Sequence, residues 1–570
     1  VPRVRFPTRR IVIVVMIVAC MLIAAVGGPW LSAWWSGVSG SARRSASIGV
    51  LLGLLVAYGA ALALALIAGA TATARLVSAR RMGARRPISA RIALLSASIL
   101  LSLGMLEASA WGLAAWNRFP PPSPSVEVPK SIKAKPRDRP SNELVLLVLG
   151  ESSAEGQPFQ PWFSIGHAGA WQIERANPGT RVRVVMDATG GVGLSYVVGR
   201  LGTRETRPDI VVLCSGHNEF QSRWPWSRVV NYYNDDASER PRDGLSDRVG
   251  DWTPLCRLIR DAVDHQRIGM APVLVSRRMV FDRPVCEPDV RAELARRFAT
   301  DLETVATWCV NVGAVPIFVI PAGNDVGFDP SRSLLAPETG PAERNAFAAD
   351  FLAARALAAT DPEAAMAAYA RLIERQPGFA ESHYRLAQHL QARGLLDDAR
   401  RHFAQARDLD GLPLRCPTEF QDAYRAVADT HPIVLVDSPS VLRTLSPSGM
   451  LDDNVFHDGQ HPTFRAYLAL AQNALDQLRG RKLFGLDRAN LPPLDPSEVS
   501  AHFGMNAAKW AVVCERSRNF WWFLSPSRYD DTDRKDRAAR FDKAAAKIRA
   551  GTPPEQAGIP GLGVRPEGFP

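Results

Sequence analysis

Four separated places along this 570-residue chain carry residue types that could do chemistry together. Ser152 follows Gly150-Glu151, Gly193 ends the run Thr189-Gly190-Gly191-Val192-Gly193, and Asn218 lies in Ser215-Gly216-His217-Asn218-Glu219. Far downstream, Asp458 and His461 belong to His457-Asp458-Gly459-Gln460-His461-Pro462. These are the parts of an acyl-transfer site. A hydroxyl becomes a nucleophile when a base takes its proton, and an imidazole titrates in the right range to do so. A carboxylate three residues before His461 can hold the other ring nitrogen and stabilise the imidazolium. Negative charge on a tetrahedral intermediate needs preorganised donors, for which the Ser152 and Gly193 backbone N–H groups and the Asn218 side-chain amide are candidates. Plainer roles compete: Gly193 as a turn glycine, Asn218 as a strand-end cap, and Ser153 as a rival nucleophile. His217 reads as a local packing or hydrogen-bonding residue, and Glu155 and Glu219 as substrate contacts or helix caps. His457 and His461, four apart, lack a third ligand at a recognisable metal-site spacing, so no metal is expected.

The elements that must position these residues alternate. Short apolar runs at Leu144 to Gly150, Val182 to Ala188, Asp209 to Gly216, Val315 to Pro321 and Ile433 to Ser438 read as buried parallel strands. Helical periodicity lies between them, at Trp162 to Asn177, Gly193 to Leu201 and Arg291 to Val312. That alternation predicts a doubly wound α/β sheet, with its ligand beyond the carboxyl ends of the strands, where Ser152, Gly193 and Asn218 fall.

The four blocks, in this order, resemble the SGNH or GDSL-type serine hydrolases over about Glu143 to Arg479, less an insertion. The resemblance implies a flavodoxin-like α/β/α sandwich. It also implies Ser152 as nucleophile, Gly193 and Asn218 as oxyanion donors, and Asp458 with His461 as the remaining pair. Two departures stand out: Glu151 replaces the acid of the family's Gly-Asp-Ser, and Ala188 after Asp187 stands where the glycine block often has asparagine.

Ahead of that domain, three apolar segments at Ile11 to Trp30, Ile48 to Ala70 and Ile92 to Trp116 are long enough to cross a bilayer of roughly 30 Å. Arginines crowd the N-terminus and the second connecting loop, which the positive-inside rule places in the cytoplasm, so the chain beyond the third span is expected outside, in the periplasm or extracellular space. Glu107, within the third span, is expected to be neutral or hydrogen-bonded to a neighbouring helix, with a proton or polar-substrate site within the bundle as the alternative. Residues 1–118 form this anchor, and the proline-rich residues 119–142 form a spacer reaching about 70 Å at ~3.1 Å per residue. The net charge of +11 resides in the anchor: residues 1–118 hold 13 Arg and one Glu, leaving the remainder at −1. A nucleic-acid footprint is therefore not expected. The seven cysteines show no CxxC, and no nucleotide-binding glycine motif occurs, so no cofactor is expected.

Between the two parts of the α/β domain, residues 143–345 and 412–480, lies an alanine-rich helical insertion at 346–411. A shift of 34 residues places Leu352 on Leu386, Ala353 on Ala387, Ala365 on Ala399 and Tyr369 on Phe403, resembling a pair of tetratricopeptide repeats. Either a protein-partner groove or a lid over the site would suit it. Residues 481–570 form a helical extension whose aromatics, Trp510 and Phe520 to Phe523, could pack on the insertion or line a substrate site. The expected activity is hydrolysis of an acyl ester, with an envelope glycan or lipid as a substrate suggested by location alone. Transfer of the acyl group to a glycan, or a scaffold with a vestigial site, are the alternatives.

Overall fold

The strand β1 (Glu143–Gly150) is an unbroken apolar run that is buried from Val145 onward, as a strand covered on both faces must be. It belongs to a computed structural model that describes residues 140, 142–203, 207–220 and 288–565. These fall within one of two compact units of the chain, Arg118–Gly244 with Asp261–Pro570. The three apolar segments, Glu107 and nearly all of the proline-rich spacer lie outside the described residues. Among the described residues, no helix is long and apolar enough to cross a membrane.

Four further strands, β2 (Arg181–Ala188), β3 (Ile210–Cys214), β4 (Val315–Val319) and β5 (Val434–Val436), join β1 in one parallel sheet of order β2-β1-β3-β4-β5. The fold class is thus α/β. The edge position of β2 explains its sequence, in which Arg181 and Arg183 are exposed beside buried Val182. Gly150 of β1 is level with Ala188 of β2 and Cys214 of β3, so the chain leaves three adjacent strands at one height. From β1 the path goes out to β2, then back across to β3. That reversal opens a crevice at the carboxyl ends, between β1 and β3.

Helices cover both faces. They are α1 (Ser152–Glu155), α2 (Ile165–Ala176), α3 (Leu194–Val198), α4 (Pro288–Val312), α5 (Pro341–Leu357), α6 (Pro362–Arg375), α7 (Ala380–Ala392), α8 (Leu396–Asp408), α9 (Thr418–Thr430), α10 (Ser438–Arg443), α11 (Phe464–Gly480), α12 (Pro496–His502), α13 (Ala507–Leu524) and α14 (Thr532–Arg549). Alternate strand residues supply the two cores. Leu146, Val148 and Val212 pack with Ile173 of α2 and Leu475 of α11. Leu147, Leu149 and Val211 pack with Val197 of α3, Leu302 of α4 and Phe420 of α9.

The insertion is two successive helix pairs, α5–α6 and α7–α8, around a third core of Phe351, Tyr369, Tyr384 and Phe403. Ala365, Ala399, Tyr369 and Phe403 are buried, in keeping with the 34-residue shift. The first helices of the pairs do not follow it: Leu352 is exposed while Leu386 is buried, and it is Phe351 and Ala354 that are buried as Tyr384 and Ala387 are. The buried faces of the first helices thus match at a shift of 33 residues, while those of the second helices match at 34.

The extension does not pack mainly on the insertion. Trp510, Trp521 and Phe541 enter the same core as the sheet, while Trp522 and Phe523 stay exposed. Contact with the insertion is made instead by residues 528–530. Glu381 of α7 accepts from Arg528 at 2.8 Å and from the Tyr529 hydroxyl at 2.9 Å, and Arg355 of α5 donates to the Asp530 carboxylate at 2.7 Å. Burial alone would raise the Glu381 pKa, but Arg528, Arg385 and Arg355 hold it down to about 2.

Candidate active site

The turn after β1 is made by glycine. Gly150 has φ +130°, and a Cβ there would lie 1.9 Å from the Cys214 carbonyl oxygen on β3. A side chain is excluded, and the chain bends sharply enough to start α1 at Ser152 immediately beyond the sheet edge. Tyr467 of α11 fastens this short helix, its hydroxyl meeting the carbonyl oxygens of Ser153 at 3.1 Å and Gln157 at 2.8 Å.

The partner turn lies between an antiparallel bridge of Phe456 with Pro462. Asp458 folds it: its Oδ1 accepts from the backbone N–H of Gln460 at 3.0 Å and of His461 at 2.9 Å. Thr463 then caps α11 by accepting from Ala466 N–H. Ser153 Oγ donates to the Gln460 carbonyl at 3.3 Å, joining the two turns across 307 residues of chain.

Between them runs one continuous chain of hydrogen bonds. Ser152 Oγ is 2.8 Å from His461 Nε2, and His461 Nδ1 is 2.8 Å from Asp458 Oδ2. A carboxylate accepts, so Nδ1 carries the proton and Nε2 is left to accept from the serine hydroxyl. All three side chains are buried. Ser153, turned toward Gln460, does not share the imidazole. His457 points elsewhere, with its ring 5.8 Å from that of Phe159, and burial lowers its pKa to about 4.

Asn218 and Leu194, the residue after Gly193, are each tied to a buried carboxyl group. Glu151, next to the serine, accepts from His217 N–H at 2.9 Å, Asn218 N–H at 3.2 Å and the Asn218 side-chain amide at 2.8 Å. An amide NH₂ has two donors, so one remains after this bond. Glu219 accepts from the Leu194 N–H at 2.6 Å, capping α3 directly after Gly193, where a Cβ would lie 2.7 Å from its Oε2. His217 is held in place as its Nδ1 accepts from Cys416 N–H at 3.0 Å. Cys214, Cys416 and Cys514 are free thiols, and all three are buried, as is Cys309.

Burial, with the neighbouring Glu219 carboxyl, pushes the Glu151 pKa up to about 8 against the pull of three N–H donors, and burial pushes Glu219 up to about 7. A carboxyl group whose folded pKa exceeds its unfolded value of 4.5 favours the fold fully below pH 4.5. Its contribution is lost as pH rises through the folded pKa. Urea unfolding of the wild type should therefore weaken from pH 5 to pH 8, by at most about 1.4 kcal/mol per pH unit for each group. Glu151→Gln should have a visibly shallower slope, and identical slopes would contradict the shift.

Glu151, to which the sequence assigns no role, and Phe520, one of the extension aromatics for which a substrate-lining role is one of two expectations, both border the candidate site. The first looked like a departure from a motif. The second belongs to α13, whose Phe520 ring lies 5.0 Å from the His461 imidazole at an interplanar angle of 80°. The chain matches no known protein-family model, and no curated protein matches it in sequence.

Proposed function

We propose that the chain is a serine ester hydrolase of the SGNH type, on a flavodoxin-like sandwich that carries a tetratricopeptide-like insertion. The observation that carries this reading is the unbroken Ser152–His461–Asp458 hydrogen-bond chain at the carboxyl end of β1. Ser152 Oγ attacks the ester carbonyl carbon as its proton passes to His461 Nε2, and Asp458 stabilises the imidazolium. The carbonyl oxygen, now negative, is met by the second N–H of the Asn218 amide, aimed by Glu151, with the Ser152 and Gly193 backbone N–H groups. His461 returns the proton to the departing alkoxide oxygen as the C–O bond breaks. A water molecule then attacks the acyl-enzyme, with His461 again as base, to release the acid and restore Ser152.

On this reading Asn218→Ala should lower kcat by about 10²- to 10³-fold with little change in KM. A steady-state assay showing kcat unchanged would remove the amide from that role.

The apolar N-terminal segments make the protein a membrane-anchored enzyme acting outside the cytoplasmic membrane, on an acyl ester of an envelope glycan or lipid. Arg355 of α5 and Glu381 of α7 bond the chain's own Arg528, Tyr529 and Asp530, which favours bracing over partner capture. Full-length protein in detergent, supplied with an activated acyl ester with and without a glycan acceptor, tests the reaction class. Free acid in both mixtures is the expected result. Acylated glycan formed in place of acid would make the protein a transferase, and neither product from folded protein would favour a scaffold.

A further inference from the structure

Arg516, Phe520 and Phe523 recur at helical spacing and share one face of α13. Arg516 donates to the Pro158 carbonyl at 2.8 Å and to that of Gln160, and its guanidinium lies 5.0 Å over the Trp162 ring. One turn later Phe520 meets His461 edge to face. Its neighbour Trp521 turns inward, and the indole N–H donates to the His457 carbonyl at 3.0 Å. The helix is thereby fixed both to the loop after the nucleophile and to the turn that carries the base. Phe520 is half-buried, and Phe523, 49% exposed, continues the same face toward solvent.

The chemistry assigns a side to this wall. The base that takes the serine proton must deliver it to the leaving oxygen, so that oxygen comes within hydrogen-bond reach of His461 Nε2. The acyl carbonyl oxygen points away, toward the amide donors. A ring packed against the imidazole therefore borders the alcohol portion of the ester. We infer that Phe520, supplied by the C-terminal extension, is a specificity-determining residue of the leaving-alcohol subsite and selects bulky, uncharged alcohols that present an apolar face. Phe523 lengthens that surface outward. The inference rests on the ester-hydrolase reading and adds the substrate portion that the extension recognises.

Two ester series test it with full-length protein in detergent: acetates of ethanol, cyclohexylmethanol and choline, and ethyl esters of acetic, butyric and octanoic acids. The wild type should favour the cyclohexylmethyl acetate. Phe520→Ala should reduce its kcat/KM advantage over ethyl acetate by about tenfold, while ratios within the acyl series stay within about twofold. Phe520→Leu, which keeps an apolar side chain, should retain most of the preference and shows whether the alanine variant suffers only from lost packing. An equal fall on every ester, or a change confined to the acyl series, would overturn the inference while leaving the hydrolase reading intact. A folded wild type that turns over no ester and takes up no fluorophosphonate would overturn both.

Discussion

Replacing Ser152 by alanine is expected to lower kcat for ester turnover by about 10⁶-fold and to leave the fold unchanged. The size follows from the number of steps that use the one oxygen. Without Oγ there is no acyl-enzyme, and His461 has no hydroxyl at 2.8 Å from which to take a proton. Donors for the oxyanion and the substrate contacts survive, so the residual rate should still exceed that in water. The substitution removes one oxygen, and the short helix that carries it stays fastened by Tyr467 on the Ser153 carbonyl. Ser153→Ala supplies the contrast. Its hydroxyl bonds the Gln460 carbonyl and not the imidazole, so most of the turnover should remain. Comparing kcat for the two variants on one activated ester decides between the adjacent serines.

Asp458→Asn should cost about 10⁴-fold in kcat while the turn stays folded. Asp458 has two tasks on two oxygens. Oδ1 accepts from the Gln460 and His461 backbone N–H groups, and Oδ2 accepts from His461 Nδ1. An asparagine can keep its carbonyl oxygen on the backbone donors, but its NH₂ then faces Nδ1. That ring nitrogen must become the acceptor, the proton moves to Nε2, and the imidazole presents a donor to the serine instead of a lone pair. Thermal unfolding close to that of the wild type, together with the loss of kcat, would separate the tautomer effect from collapse of the turn. A variant with near-normal kcat would show that orientation of His461 does not depend on the carboxylate.

The parts of the site that were legible in the sequence are those determined locally. Asp458 and His461 are three residues apart, so their contact needs only a turn. Ser152 sits where an apolar run meets glycine, and the run Leu144 to Gly150 differs from β1 by one residue at its start. Asn218 was legible by type, yet what holds it was not. Glu151 reaches it across the β1–β3 crevice, and that pairing depends on the strand order. The longer glutamate that departed from the family pattern is the side chain that accepts from three donors of the 217–218 loop. Phe520 was hidden for another reason. Phe520 to Phe523 is aromatic at four consecutive positions, which cover every side of a helix, and only the packed neighbours decide that Trp521 is buried, Phe520 faces the imidazole and Trp522 faces solvent. The repeat pattern was legible in the second helices of the pairs and misplaced by one position in the first, where burial and not residue type picks Phe351 over Leu352.

The most direct measurement is to map covalent capture of the nucleophile. Folded full-length protein treated with a fluorophosphonate, digested and analysed by tandem mass spectrometry should carry one phosphonyl group, on Ser152, and His461→Ala should carry far less at equal exposure. A group attached to Ser153 or another residue, or none on a folded wild type, would contradict a nucleophile activated through Ser152, His461 and Asp458.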